Sequence, residues 1–135
     1  MRCNRIEDFR FQKSDCKNVK ADELKARTKE FALRVIKFVA ALPKSVEGRA
    51  IANQLVRSGT SVAADYRSAR RVRSRIEFVA KLGIVLEEAD ESLLWLELIV
   101  TAKLLPLARV ERLLNEADEL VAIYGSVAQI CHGGP

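Results

Sequence analysis

The sequence predicts an all-α fold, an up-down-up-down antiparallel four-helix bundle, and three observations carry that reading. Apolar residues recur at alternating steps of four and three over long stretches, which is the period of one side of an α-helix. Proline and capping residues fall where those stretches begin or end. Aromatics are only 6% of the 135 residues, against 49% hydrophobic and 30% charged, a balance that suits neither a sandwich nor a disordered chain. At this length one domain can bury roughly two thirds of its unfolded surface.

The longest stretch covers residues 76–104, where Leu82, Leu86, Ala89, Leu93, Leu96 and Val100 keep the four-three step. A helix this long draws its stability from packing such a stripe, so the other segments are read as its cover. Residues 1–21 mix charges with Phe9 and Phe11, show no sustained period, and are expected to be a flexible or loosely docked arm. A first helix is expected over 22–42, with Leu24, Thr28, Phe31, Val35, Phe38 and Leu42 on one stripe and Ala32, Ile36 and Val39 widening it. Pro43 ends it, because a proline pushes the preceding residue out of the α region.

The second helix, 47–71, starts between Ser45 and Arg49 and buries Ile51, Leu55, Val62 and Tyr66. Its Ser58-Gly59-Thr60-Ser61 run is a poor helix former, Gly59 alone costing about 1 kcal/mol relative to Ala. Close approach of a neighbouring helix across small side chains is the expected compensation, since the run lacks the glycine pattern of a phosphate-binding loop. Ser74-Arg75-Ile76-Glu77 has the form of a capping box and opens the third helix, 75–104, with the Glu77 carboxylate reaching back to the backbone N–H of Ser74. Pro106 suits the first turn of the fourth helix, 106–130, on which Val110, Leu114, Ala117, Val121, Tyr124 and Ala128 form the stripe. Residues 132–135 read as a tail. Short turns make neighbours antiparallel, crossing at about 20°.

The third helix has more apolar surface than one stripe needs. Leu94 and Leu98 lie opposite the seam among Glu87, Glu91 and Glu97, and Trp95 and Ile99 flank it. Leu94, Trp95, Leu98 and Ile99 are therefore expected to meet another subunit in a homo-oligomer.

Little catalytic chemistry fits these residues. The sole histidine, His132, lies in the tail, so there is no Glu-x-x-His for a di-iron site, no triad base and no arginine-histidine ribonuclease pair. P-loop, dinucleotide and zinc spacings are missing as well. Neither an enzyme nor a bound metal or cofactor is expected. Cys3, Cys16 and Cys131 form no disulfide framework, the first twenty residues lack an apolar core for a signal peptide, and the greasiest run, 93–105, is broken by Glu97 and Lys103. A cytoplasmic protein without a membrane partner is expected.

The formal net charge of +5 is unevenly spread, with nine Lys/Arg against three acids in residues 43–81 and the reverse, three against nine, in residues 82–135. Arg67, Arg70, Arg71, Arg73 and Arg75 crowd the turn between the second and third helices, with Arg57 before them and Lys81 after. Such crowding costs self-repulsion unless an anion compensates. Two compensations stand open: ion pairs with the acids of 87–91 and 116–119, within or between chains, or contact with the phosphates of a nucleic acid.

The run Ser58-Gly59-Thr60-Ser61-Val62-Ala63-Ala64-Asp65-Tyr66-Arg67-Ser68-Ala69-Arg70-Arg71, followed by Phe78-Val79-Ala80-Lys81-Leu82, Glu87-Glu88-Ala89-Asp90-Glu91 and Trp95-Leu96-Glu97-Leu98, resembles the bacterial four helix bundle protein family. That family includes proteins encoded in intervening sequences of 23S ribosomal RNA genes, sometimes labelled S23 ribosomal proteins, and accessory proteins of diversity-generating retroelements. The resemblance covers about residues 23–128. It implies a ring-shaped homopentamer without enzymatic activity, and, for the retroelement members, basic surfaces that bind nucleic acid and a reverse transcriptase. By position only Arg67, Arg70 and Arg71 match that basic pattern; the Asn-Ile-Ala-Glu-Gly-like run of many relatives is replaced here by residues 63–68. The expected function is a non-enzymatic, oligomeric adaptor that binds nucleic acid or a ribonucleoprotein through the arginines. The alternative is a structural interaction module whose arginines pair with a neighbouring subunit's acids.

Overall fold

The computed structural model describes the backbone of residues 21–133 and side chains as far as residue 129. Among the described residues there are four α-helices, α1 (Ala21–Phe38), α2 (Val46–Arg71), α3 (Arg75–Thr101) and α4 (Leu107–Gly133), with a 3-10 turn at Val39–Ala41 and no strand. The expected arm before Ala21 and the last two residues lie outside this range, as do the side chains of Cys131 and His132. Ala21 itself is already helical and buried.

Each helix stops for a local reason. Leu42 adopts φ −71° and ψ 149°, as the residue before Pro43 must, and the turn before it tightens, so α1 proper ends at Phe38. Ser45 caps α2 by accepting the Gly48 N–H at 3.1 Å. Gly48 is required there, because a Cβ would stand 2.1 Å from the Pro43 carbonyl oxygen. Ser74 caps α3, accepting the Glu77 N–H at 3.1 Å, and the Glu77 carboxylate accepts the Ser74 hydroxyl at 3.0 Å. At its far end α3 closes three residues before 104. Lys103 turns left-handed at φ 60°, its N–H bonds the Val100 carbonyl at 3.0 Å and the Leu104 N–H bonds the Ile99 carbonyl at 2.9 Å. This is a Schellman closure with lysine where glycine is usual, at a cost of roughly 1 kcal/mol. Pro106 precedes α4 and accepts the Arg109 N–H at 2.9 Å.

Every helix packs on the next in sequence, and α1 closes the bundle by a lighter contact with α4. Because α3 must cover α2 on one side and α4 on the other, its buried sector is wider than the expected stripe and turned from it. Leu82, Ala89 and Leu96 are fully buried as expected, but Leu86, Leu93 and Val100 are only half-buried, while Val85, Ser92 and Ile99 are fully buried. The same shift appears on α4, where Val110, Ala117 and Tyr124 are joined by Leu113, Leu120 and Val127, with Leu114, Val121 and Ala128 on the flank. Ile99 is thus a correction: at 0% exposure it belongs to the protomer core and cannot meet another subunit. Ile36 is a second one, since it stands 49% exposed beside α1's buried face.

The small residues of α2 do bring neighbours close. A Cβ on Gly59 would stand 3.0 Å from a Val35 methyl of α1. On the adjoining side the buried Ser58 and Ser92 hydroxyls lie 2.8 Å apart, with the Glu88 carbonyl 2.9 Å from Ser92 Oγ, so both polar groups are satisfied in the core. Gly59→Leu is therefore expected to lose roughly 1–3 kcal/mol in chemical denaturation at fixed protein concentration, by overpacking against Val35. Lys103→Gly should gain up to about 1 kcal/mol in the same measurement by relieving the left-handed lysine.

Candidate nucleic-acid interface

The five arginines of the basic cluster do not act as one surface. Arg70 and Arg71 follow Arg67 by three and four residues near the end of α2, so each shares a face with it, and positive charge there is favoured by the carbonyl end of the helix. That face looks across to the first described turn of α1. Together with Asp22 and Lys25 of α1, the three arginines line an open cleft of about 290 Å³. Arg73, in the turn, and Arg75, the first residue of α3, do not line it.

Four cations thus face one carboxylate. Arg70 Nη1 donates to Asp22 Oδ1 at 2.9 Å, and the Asp22 side chain is 96% exposed. Arg67, Arg71, Arg73 and Lys25 make no ion pair among the described residues. Tyr66 lies close enough to Arg70 and Asp22 for both to act on its acidity, but burial dominates and pushes its hydroxyl up to about 12. It stays protonated. Its ring packs edge-on against Tyr124, centroids 5.4 Å apart, so it is a core side chain and not a base-stacking platform.

Of the acids expected to neutralise the cluster, Glu88, Glu91, Glu116 and Glu119 are engaged elsewhere. Arg57 bridges α2 to α3 by pairing with Glu88 at 3.4 Å and with Glu91, whose carboxylate also accepts the Trp95 indole N–H at 3.1 Å. The Arg57 hydrogen bond holds Glu91 below the usual carboxylate range. Glu88 is raised instead, because its burial outweighs the attraction of the same guanidinium. Across the closing edge of the bundle, Arg27 pairs with Glu119 and Arg34 with Glu116, with Glu30 3.4 Å from Arg34. Burial raises Glu116, one of whose oxygens is enclosed without a partner. Arg57 therefore belongs to the bundle's internal pairing, although in the sequence it stands with the basic group. The clamps formed by Arg27 and Arg34 carried no local signal, because the two arginines stand seven residues apart on α1 and their partners Glu119 and Glu116 only three apart on α4. Lys25 and Asp22 carried no local signal for a place in the cleft, more than forty residues from the arginines.

Of the residues expected at a subunit contact, Leu94 and Leu98 stand on the outer face of α3 at 46% and 37% exposure, and Trp95 is half-buried against the core. Among the described residues no group of three or more His, Cys, Asp or Glu side chains could hold a metal ion, and no helix is long and apolar enough to cross a membrane.

Comparison with known proteins bears on this arrangement. No functionally curated protein matches the chain. One crystal structure, of a protein with unknown function from the S23 ribosomal protein family of Bacteroides thetaiotaomicron, is 31% identical and superposes with a TM-score of 0.75 over 82% of this chain and 98% of its own. The sequence model described as "23S rRNA-intervening sequence protein" matches residues 22–126, a span that takes in the cleft, the arginine turn and most of α4. The chain belongs to the 23S rRNA-intervening sequence protein family.

Proposed function

We propose that this protein is a non-enzymatic adaptor that binds nucleic acid, free or within a ribonucleoprotein, by setting Arg67, Arg70, Arg71, Arg73 and Arg75 against its phosphates. The observation that carries the reading is the division of charge: Arg27, Arg34 and Arg57 engage Glu88, Glu91, Glu116 and Glu119, whereas Arg67 and Arg71 share an open cleft with Lys25 and make no ion pair among the described residues. Planar guanidinium forks suit backbone oxygens and carry no sequence preference by themselves. RNA is the first ligand to try, given the family's description. A reverse transcriptase or another nucleic-acid enzyme is the kind of protein partner such an adaptor serves, in the cytoplasm.

Assembly is part of the proposal. Leu94 and Leu98 leave an apolar strip on α3 for a second copy, with Trp95 at its edge, and a ring-shaped homopentamer would repeat the arginines around one rim. A second reading, favoured by the exposed Glu87, Asp90 and Glu97 on the same helix, has the arginines pair with those acids of a neighbouring subunit in a purely structural module.

Affinity for a single-stranded RNA is expected to fall steeply between 50 and 200 mM salt, as it does when several phosphates are covered. Arg70→Glu with Arg71→Glu should abolish binding while leaving the oligomer intact. Unchanged RNA binding would overturn the first reading, and dissociation of the assembly would favour the second. In light scattering the purified protein is expected at a multiple of 15.1 kDa, and a species of that mass alone would overturn the assembly.

A further inference from the structure

We propose that the cleft between α1 and α2 holds a single phosphate group, and that Asp22 is an internal anion which this phosphate displaces from Arg70. The inference rests on the phosphate-contact reading above and adds which cations act together and what they must release.

The composition of the cleft selects the ligand. About 290 Å³ is at the lower limit of small-molecule sites, which run from roughly 300 to 1,000 Å³, and among the described residues the lining is Asp22, Lys25, Arg67, Arg70 and Arg71, all of them charged. It suits one compact, highly charged group. Three arginines and a lysine converging from two helices offer forked donors together with a point charge, and an anion with several oxygens can bond to more than one of them at once.

One carboxylate cannot satisfy that set. Asp22 reaches only Arg70, through one contact at 2.9 Å, and its side chain is almost wholly in water. A pair so exposed is weak and exchanges readily. The protonated Tyr66 hydroxyl beside Arg70 and Asp22 adds no negative charge that would oppose an incoming anion. Asp22 therefore competes for Arg70 from the rim, whereas a phosphate seated in the cleft engages Arg67, Arg71 and Lys25 in addition to Arg70. The binding of phosphate and the pairing of the first turn of α1 to the last turn of α2 become mutually exclusive at this point.

The test uses the full chain and two separate probes, inorganic phosphate and a single-stranded RNA oligonucleotide, each titrated calorimetrically into the wild type, Asp22→Asn, and Lys25→Gln with Arg71→Gln, with helicity checked by circular dichroism. Asp22→Asn removes a competitor from an exposed pair, so affinity for both probes is expected to rise about threefold. The double variant should lower phosphate affinity at least tenfold. If Asp22→Asn leaves both affinities unchanged or weakens either, the displacement is wrong. RNA binding that remains salt-dependent yet ignores all these variants overturns the cleft while the nucleic-acid reading stands through other arginines. Phosphate binding with the expected responses but no RNA binding upholds the cleft and overturns the nucleic-acid reading.

Discussion

The dry line along which α3 runs between α2 and α4 sets the rest of the architecture. Phe78, Leu82, Val85, Ala89, Ser92, Leu96 and Ile99 are all buried on it, one inward residue for each turn of helix. Burying that line on both sides forces α2 and α4 to flank α3 and leaves α1 to close the bundle. Where α1 meets α2, Gly59 lets Val35 approach; where it meets α4, ion pairs of Arg27 and Arg34 take over. Exposed or half-exposed pairs of this kind add little stability, so α1 is held chiefly by its apolar face.

How much of this was legible follows from what each signal depends on. Helix ends were read closely because their causes are local: Pro43 sets Leu42, and Ser74 caps α3 by itself. The end of α3 was misjudged because a left-handed lysine has no sequence signature, whereas a glycine would have announced it. The buried face of α3 was located but turned, since Ser92 interrupts the apolar line through Val85 and Ile99, and its hydroxyl, besides meeting the Glu88 carbonyl of its own helix, pairs with Ser58 on another helix. That partner is a tertiary fact. The displaced reading then put Ile99 on the outside.

Charge followed the same division. The crowding of arginines between α2 and α3 was visible in the sequence, but which of them share a cleft depended on the placement of α1. The acids of α3 and α4 were visible too, yet Glu88 and Glu91 pair with Arg57, Glu119 with Arg27 and Glu116 with Arg34. Such pairing occupies the bundle's edges and leaves Lys25, Arg67 and Arg71 together in one cleft without an ion pair among the described residues. The buried core, the proposed assembly strip and the proposed ligand contact thus fall on separate surfaces.

That separation is most directly examined by comparing Leu96→Lys with Leu98→Lys in far-ultraviolet circular dichroism at 25 °C. Leu96 is fully buried and Leu98 faces outward two residues later. An unpartnered ammonium in the core costs several kcal/mol, a large part of the 5–15 kcal/mol that holds a typical domain. The account predicts that Leu96→Lys loses most of its helical signal while Leu98→Lys keeps it. Equal loss or equal retention in the two variants would contradict it.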